Sequence, residues 1–245
     1  MRYSRMNGSM KFLVFIILLF LIMFDCKAAE RQCVILLHGL GRTHHSMSSI
    51  EFMLKRQNYF VVNEDYPSTK KTIENLANQY IPLMIDQCLI NHSDHISFVT
   101  HSMGGIVLRE YLQNHEIPQL SHIVMLGPPN HGSQLADLLH NNWLFKFATG
   151  PAGQELTTHK TSVPNTLDHL NHQYQLGIIA GNFSLIPFNH FIFHEENDGK
   201  VAVSSAKLNT MKDFIVLPVG HTFMMNNLLV QQQILNFLND GKFIH

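Results

Sequence analysis

Two periods alternate along the chain. Short apolar runs bounded by polar or turn residues occupy positions 34–37, 59–63, 95–100, 121–126, 176–180 and 214–217. Apolar runs of about 4–8 residues closed off in this way predict buried strands. Between them, apolar residues recur at helical spacing. Met47, Ile50, Met53 and Leu54 mark a helix over 47–57, and Ile73, Leu76, Ala77 and Tyr80 mark another over 72–87. Helical patterns also cover 104–113 and 228–238, the second with Leu229, Ile234, Phe237 and Leu238 apolar. Strands alternating with helices predict the α/β class, with a mostly parallel sheet covered on both faces. The alternation contains no internal repeat, low-complexity stretch or linker, which predicts a single domain over residues 29–245.

Two stretches break the rhythm. Residues 130–172 mix an apolar cluster, Trp143, Leu144, Phe145 and Phe147, with Gly150-Pro151 and Gly153. Residues 182–194 carry Phe183, Leu185, Ile186, Phe188, Phe191, Ile192 and Phe193 around Pro187. Both are expected as insertions over one end of the sheet.

The first 28 residues follow another logic. Arg2, Arg5 and Lys11 precede an unbroken apolar run of 13 residues, 12–24. That run is too short for a membrane-spanning helix, which needs about 20 residues. A basic start, a short apolar stretch and small residues after it predict a secretory signal peptide cleaved after Ala28. The chain is then exported, to the periplasm or the medium; an uncleaved anchor is the alternative. Export also changes how the cysteines are read. Loss of Cys26 leaves Cys33 and Cys88, and an even pair in an oxidising compartment predicts a disulfide. Closing a loop of about 55 residues contributes about 2–4 kcal/mol.

Composition removes some functions. Charged residues are only 14% of the chain and the net charge is −1 with histidine neutral. A basic face for nucleic acid is excluded, because no excess of Lys and Arg exists to neutralise phosphates. Seventeen histidines make the charge depend on pH below about 6.5.

The chemistry concentrates at Phe98-Val99-Thr100-His101-Ser102-Met103-Gly104-Gly105, where an apolar strand runs into Ser-x-Gly-Gly and a helical pattern. A serine on such a strand-to-helix turn presents its hydroxyl above the sheet edge. The helix start adds N–H groups and a positive dipole end that favour developing negative charge. Thr100 stands where the common Gly-x-Ser-x-Gly pattern has its first glycine. Ser102 is nevertheless the only serine followed two residues later by glycine. A serine hydroxyl needs a base, and the base an orienting acid, in the order serine, acid, histidine on this architecture. Asp198 stands in an Asp-Gly turn within Glu195-Glu196-Asn197-Asp198-Gly199, and His221 follows the last strand. Glu195 and Glu196 remain alternative acids, while His190 and His194 would reverse the order. Leu36-Leu37-His38-Gly39-Leu40-Gly41 adds a turn that aims the Leu40 N–H at an oxyanion, opposite the Met103 N–H. The His38 side chain reads best as a brace for that turn, with the substrate pocket as its other possible place.

These residues resemble the α/β-hydrolase superfamily, and more narrowly its bacterial lipase-like and esterase-like members. The resemblance rests on Leu37-His38-Gly39-Leu40-Gly41-Arg42, Asn63-Glu64-Asp65-Tyr66-Pro67-Ser68 and Thr100-His101-Ser102-Met103-Gly104-Gly105. It continues through Met125-Leu126-Gly127-Pro128-Pro129-Asn130-His131-Gly132-Ser133, Asn197-Asp198-Gly199-Lys200-Val201 and Leu217-Pro218-Val219-Gly220-His221-Thr222-Phe223-Met224. It implies an α/β-hydrolase fold with short cap insertions, and a serine hydrolase of carboxylic esters, often lipidic. Ser102 is the implied nucleophile, Asp198 the acid and His221 the base. Thr100 is a variation within the lipase-like group.

An apolar substrate needs an apolar pocket, for which Trp143, Phe145, Phe183 and Phe188 are candidates, with Asn130 and His131 at its border. Ser133 reads as a helix cap. The pairs His190 and His194, and His169 and His172, have metal-like spacing but lack the glutamate of His-Glu-x-x-His, so no metal is expected. No cofactor is implied. The expected partner is a small ester or lipid, with transient contact to a membrane surface; oligomeric state is not indicated. The rival readings are an acyltransferase using the same three residues and a non-catalytic lipid- or partner-binding protein on the same scaffold.

Overall fold

The computed structural model describes residues 31–167, 174–185 and 192–245. Six strands form one sheet: β1 (Gln32–Leu37), β2 (Phe60–Val62), β3 (His95–His101), β4 (Leu120–Leu126), β5 (Gln175–Gly181) and β6 (Asp213–Leu217). Every pairing is parallel, in the order β2-β1-β3-β4-β5-β6. The longer helices between them are α1 (Ser48–Arg56), α2 (Ile73–Ile90), α3 (Met103–Asn114) and, at the end of the chain, α8 (Leu228–Asp240). Side-chain caps start two of them. The Thr72 hydroxyl accepts the Asn75 N–H ahead of α2, and Asn227 Oδ1 accepts the Leu229 N–H ahead of α8.

Neighbouring strand residues face opposite sides of a sheet. On β1, Cys33, Ile35 and Leu37 pack with residues of α2 and α3, while Val34 and Leu36 pack with α1 and α8. Both faces are therefore buried, which is why the strands read as unbroken apolar runs. The Cys33–Cys88 disulfide is formed and ties β1 to α2.

The irregular stretch after β4 contains short helices: α4 (Gln134–Leu139), α5 (Trp143–Gln154, interrupted at Gly150) and α6 (Val163–Thr166). The brief α7 (Val203–Ala206) precedes β6. Among the described residues no helix is long and apolar enough to cross a membrane.

The topology places the site. From β1 the chain moves outward to β2, then crosses back to β3 on the other side. The connections diverge between β1 and β3, and in open α/β sheets ligands bind beyond the carboxyl ends of strands at such a point.

Candidate active site

Ser102 occupies that point. It joins the end of β3 to the first residue of α3 with φ 54° and ψ −125°. A positive φ at a residue with a side chain is strained, and such strain gathers at functional turns. The turn holds because α3 starts hard against the end of β1. A Cβ on Gly104 would lie 2.6 Å from the Leu37 carbonyl oxygen. Thr100 is accommodated by Gly105, where a Cβ would meet the Thr100 hydroxyl at 3.2 Å. The second glycine of the doublet thus makes room for the threonine that departs from the usual pattern. The Ser102 N–H donates to the Leu126 carbonyl at 2.9 Å, fixing the serine to β4.

A continuous relay leads away from the hydroxyl. Ser102 Oγ lies 2.9 Å from His221 Nε2, and His221 Nδ1 lies 2.7 Å from Asp198 Oδ2. A carboxylate only accepts, so Nδ1 carries the proton and Nε2 is free to accept the serine proton. Asp198 is locked as well: its Oδ1 accepts the Lys200 and Val201 N–H groups at 3.0 and 2.8 Å. The His221 N–H donates to the Asp198 carbonyl at 2.9 Å, so backbone and side chain both join the two loops. Asp198 and His221 are buried.

His101 supports this arrangement from below. Its Nε2 donates to the His221 carbonyl at 3.0 Å, and the two rings lie 4.8 Å apart. Burial, and then the nearby His221, hold the His101 pKa well below the usual histidine value, so its ring is neutral.

Ser102 and His221 border a cavity of about 200 Å³. Its apolar wall comes from Leu40, Leu135, Phe145, Leu156 and Val201. A second space of about 420 Å³ follows the turn that carries His221 and is lined by Phe183, Leu185, Pro218 and Phe223. The Gly39-Leu40 turn lies beside the serine, since a Cβ on Gly39 would be 3.1 Å from Ser102 Cβ. Met103 supplies the first N–H of α3, which has no acceptor within its own helix.

Asn130, His131 and Trp143, expected at the pocket, are elsewhere, and His38 takes the bracing role rather than its other possible place in the pocket. His38 is fully buried beneath the turn and stacked on Tyr66 at 4.0 Å. Its Nδ1 donates to the Gly39 carbonyl, and the Tyr66 hydroxyl donates to the His38 carbonyl. It braces the turn, and burial lowers its pKa. Asn130 is also fully buried. It accepts Arg109 Nη1 and donates to the Ala206 carbonyl. Arg109 is itself buried in α3, its pKa pushed down to about 10 by desolvation, and it reaches the Pro164 and Leu167 carbonyls to hold the cap's far end. His131 is exposed and lies beside Asn165. Trp143 is 72% exposed on the outer side of α5, while Phe145 of the same helix lines the cavity. Phe183 lines the second space, and Phe188 lies outside the described residues. Ser133 stands at the start of α4 without capping it; its hydroxyl donates to the Lys200 carbonyl.

The alternative acids have other partners. Glu195 accepts from Ser204 and Glu196 from Asn182. Among the described residues no three His, Cys, Asp or Glu side chains gather as a metal site; His169, His172 and His190 lie outside them. Tyr66, His101, Arg42 and Lys200 escaped the sequence reading. For Lys200 the available signal was its place two residues after Asp198, and for Arg42 its place two after Leu40.

No curated protein matches the chain. Among solved structures it is similar to a lipase of Bacillus licheniformis, BlEst2 in mature form, with a TM-score of 0.67 and 19% identity over 90% of this chain and 95% of that one. A metagenomic carboxyl esterase, MGS0156, aligns with a TM-score of 0.59 and 17% identity over 79% of this chain and 65% of that one. The phospholipase PlaB of Legionella pneumophila aligns with a TM-score of 0.59 and 20% identity over 72% of this chain and 45% of that one. These likenesses establish the α/β-hydrolase fold. The palmitoyl protein thioesterase family model matches residues 33–173, a span that begins in β1 and includes Ser102. With this fold and with a family model matching more than half of its length, the chain belongs to the palmitoyl protein thioesterase family.

Proposed function

We propose that the chain is an exported serine hydrolase that cleaves carboxylic esters, lipidic or acyl, through Ser102, His221 and Asp198. The observation that carries this reading is the unbroken relay from Asp198 through His221 to a serine held at positive φ. His221 Nε2 takes the Ser102 proton as Oγ attacks the ester carbonyl carbon. The Leu40 and Met103 N–H groups hold the resulting oxyanion; losing one such donor typically costs about 10²–10³ in rate. Collapse breaks the bond to the leaving alcohol or thiol, which departs with the proton from His221. Water then attacks the acyl-enzyme, gives its proton to His221, and the acid leaves as Ser102 is reprotonated. Asp198 keeps the imidazole oriented and stabilises its charged form.

Export is supported by the basic and apolar start of the sequence, and by a disulfide of the kind that persists in oxidising compartments. The exposed Trp143, Leu144 and Phe147 on α5 suit transient contact with a lipid surface.

The test is fluorophosphonate labelling of the purified protein with mass mapping of the adduct. The expected label sits on Ser102, and Ser102→Ala abolishes both labelling and ester turnover, the latter by about a millionfold. Undiminished ester hydrolysis in a clean Ser102→Ala preparation overturns the reading.

A further inference from the structure

The cavity beside Ser102 holds two positive charges for which the acyl-transfer steps have no role. Arg42 follows the turn after β1 and lines this cavity. Its Nη2 donates to the Thr222 carbonyl at 3.2 Å, and its guanidinium carbon lies 6.0 Å from the centre of the Phe223 ring. Thr222 and Phe223 line the second space, so Arg42 stands where the two spaces meet. Lys200 comes from the turn after Asp198 and lines both spaces.

Among the described residues neither cation forms an ion pair. Lys200 is partly buried, and its pKa is lowered first by that burial and then by the charge of Arg42. The carboxylate whose charge reaches Lys200 is Asp198, which already holds His221 and two backbone N–H groups. Like charges brought together in a partly desolvated place disfavour one another, and an anion arriving between them relieves the repulsion.

The surroundings give this charge a direction. The Ser102 cavity is apolar on the cap side, through Leu135, Phe145 and Leu156. Its volume of about 200 Å³ is below the range of about 300–1,000 Å³ that encloses a whole drug-sized ligand. It therefore suits one portion of a substrate, the acyl chain. The other portion leaves past Arg42 and Lys200 into the larger space beside His221.

We infer that Arg42 and Lys200 form an anion-recognising subsite on the leaving-group side, selecting esters whose alcohol or thiol part carries a phosphate or carboxylate close to the scissile bond. Arg42 offers a planar fork that matches either oxyanion, and Lys200 a point charge that approaches from the opposite loop. The inference rests on the ester-hydrolase reading above and adds a substrate class to it.

Three esters sharing a butyryl group test it: those of glycerol phosphate, hydroxypropionate and neutral propanediol. The quantity read is the ratio of kcat/KM for each anionic ester to that for the neutral one. The wild-type ratio is expected to reach about tenfold, the worth of a single charge-assisted hydrogen bond, and to fall as salt is added. Lys200→Met and Arg42→Gln, on separate loops, are each expected to bring the ratio towards one, and Lys200→Arg to retain most of it. Because the ratio is taken within each variant, any general loss through a displaced His221 cancels. Preference for the phosphate ester alone identifies a phosphate subsite; preference for both anions identifies a general one. Equal rates on charged and neutral esters, or a preference that survives both substitutions, overturns the subsite while leaving the hydrolase reading intact. Failure to hydrolyse any of the three, with Ser102 unlabelled by fluorophosphonate, overturns both.

Discussion

Ser102 and helix α5 face one cavity from opposite sides, and they are held by different interactions. The serine extends from β3, a strand paired with β1 on one side and β4 on the other and buried along nearly its whole length. Its N–H is bonded to β4, and the helix after it presses on the Leu37 carbonyl. The cap helix has no ladder. Its start is capped by Asn142, and just beyond its end Glu155 accepts the Ile73 N–H at 2.8 Å. Phe145, Ala152 and Gly153 turn inward, while Trp143, Leu144 and Phe147 remain 72%, 55% and 86% exposed. The floor of the site is overdetermined, so a small change there disturbs several contacts at once. The roof depends on a few inward residues, and its outer face is open to change.

The largest expected contrast comes from Asp198→Asn. Oδ1 of Asp198 accepts two backbone N–H groups, so the amide must keep its oxygen there and turn its NH₂ towards His221 Nδ1. That reverses the imidazole tautomer and leaves Nε2 protonated against Ser102. Ester turnover should fall by about 10⁴ with the fold retained, as read by kcat and near-ultraviolet circular dichroism. A loss of tenfold or less would mean that the floor tolerates rearrangement.

Acid should weaken the floor next. His38 and His101 are buried, and burial lowers both pKa values. In the unfolded chain they take up protons near pH 6.5, whereas in the folded protein they resist. The unfolded state therefore binds more protons as pH falls through that value, and stability is lost towards acid pH. Each histidine contributes at most about 1.4 kcal/mol per pH unit. Urea unfolding midpoints should decline from pH 7 to pH 5; a flat profile would contradict neutral burial of the pair.

The smallest effect belongs to the roof. Trp143→Ser with Phe147→Ser removes two exposed aromatic rings and should change folding stability by no more than about 0.5 kcal/mol per site. Adsorption to neutral lipid vesicles, followed by co-sedimentation, should drop several-fold. A large loss of stability would place these rings in the packing and erase the distinction between the two sides.

Much of the floor was legible in the chain, and the reason is local. The runs at 34–37 and 95–100 lie within β1 and β3, because burial on both faces demands continuous apolar strands. Ser102 follows β3, His221 follows β6 and Asp198 stands in an Asp-Gly turn, and each of these placements is readable from local pattern. The misplaced residues share a different feature. Asn130 stands in a motif beside the site, but its side chain turns down into the fold, and spacing does not report which way a loop residue points. Trp143 and Phe145 are two residues apart on one helix, so only the docking of that helix decides which one meets the cavity.

By itself the sequence determined the α/β alternation, the pairing partners Cys33 and Cys88, and the order of serine, acid and histidine. Each follows from short-range backbone preference, burial or residue chemistry. Tertiary structure alone decided that residues 119 positions apart, Ser102 and His221, meet at 2.9 Å. It likewise decided that Arg42 and Lys200 converge beside them from separate loops. Those distances depend on strand register and on how each loop leaves the sheet edge, which no local pattern encodes.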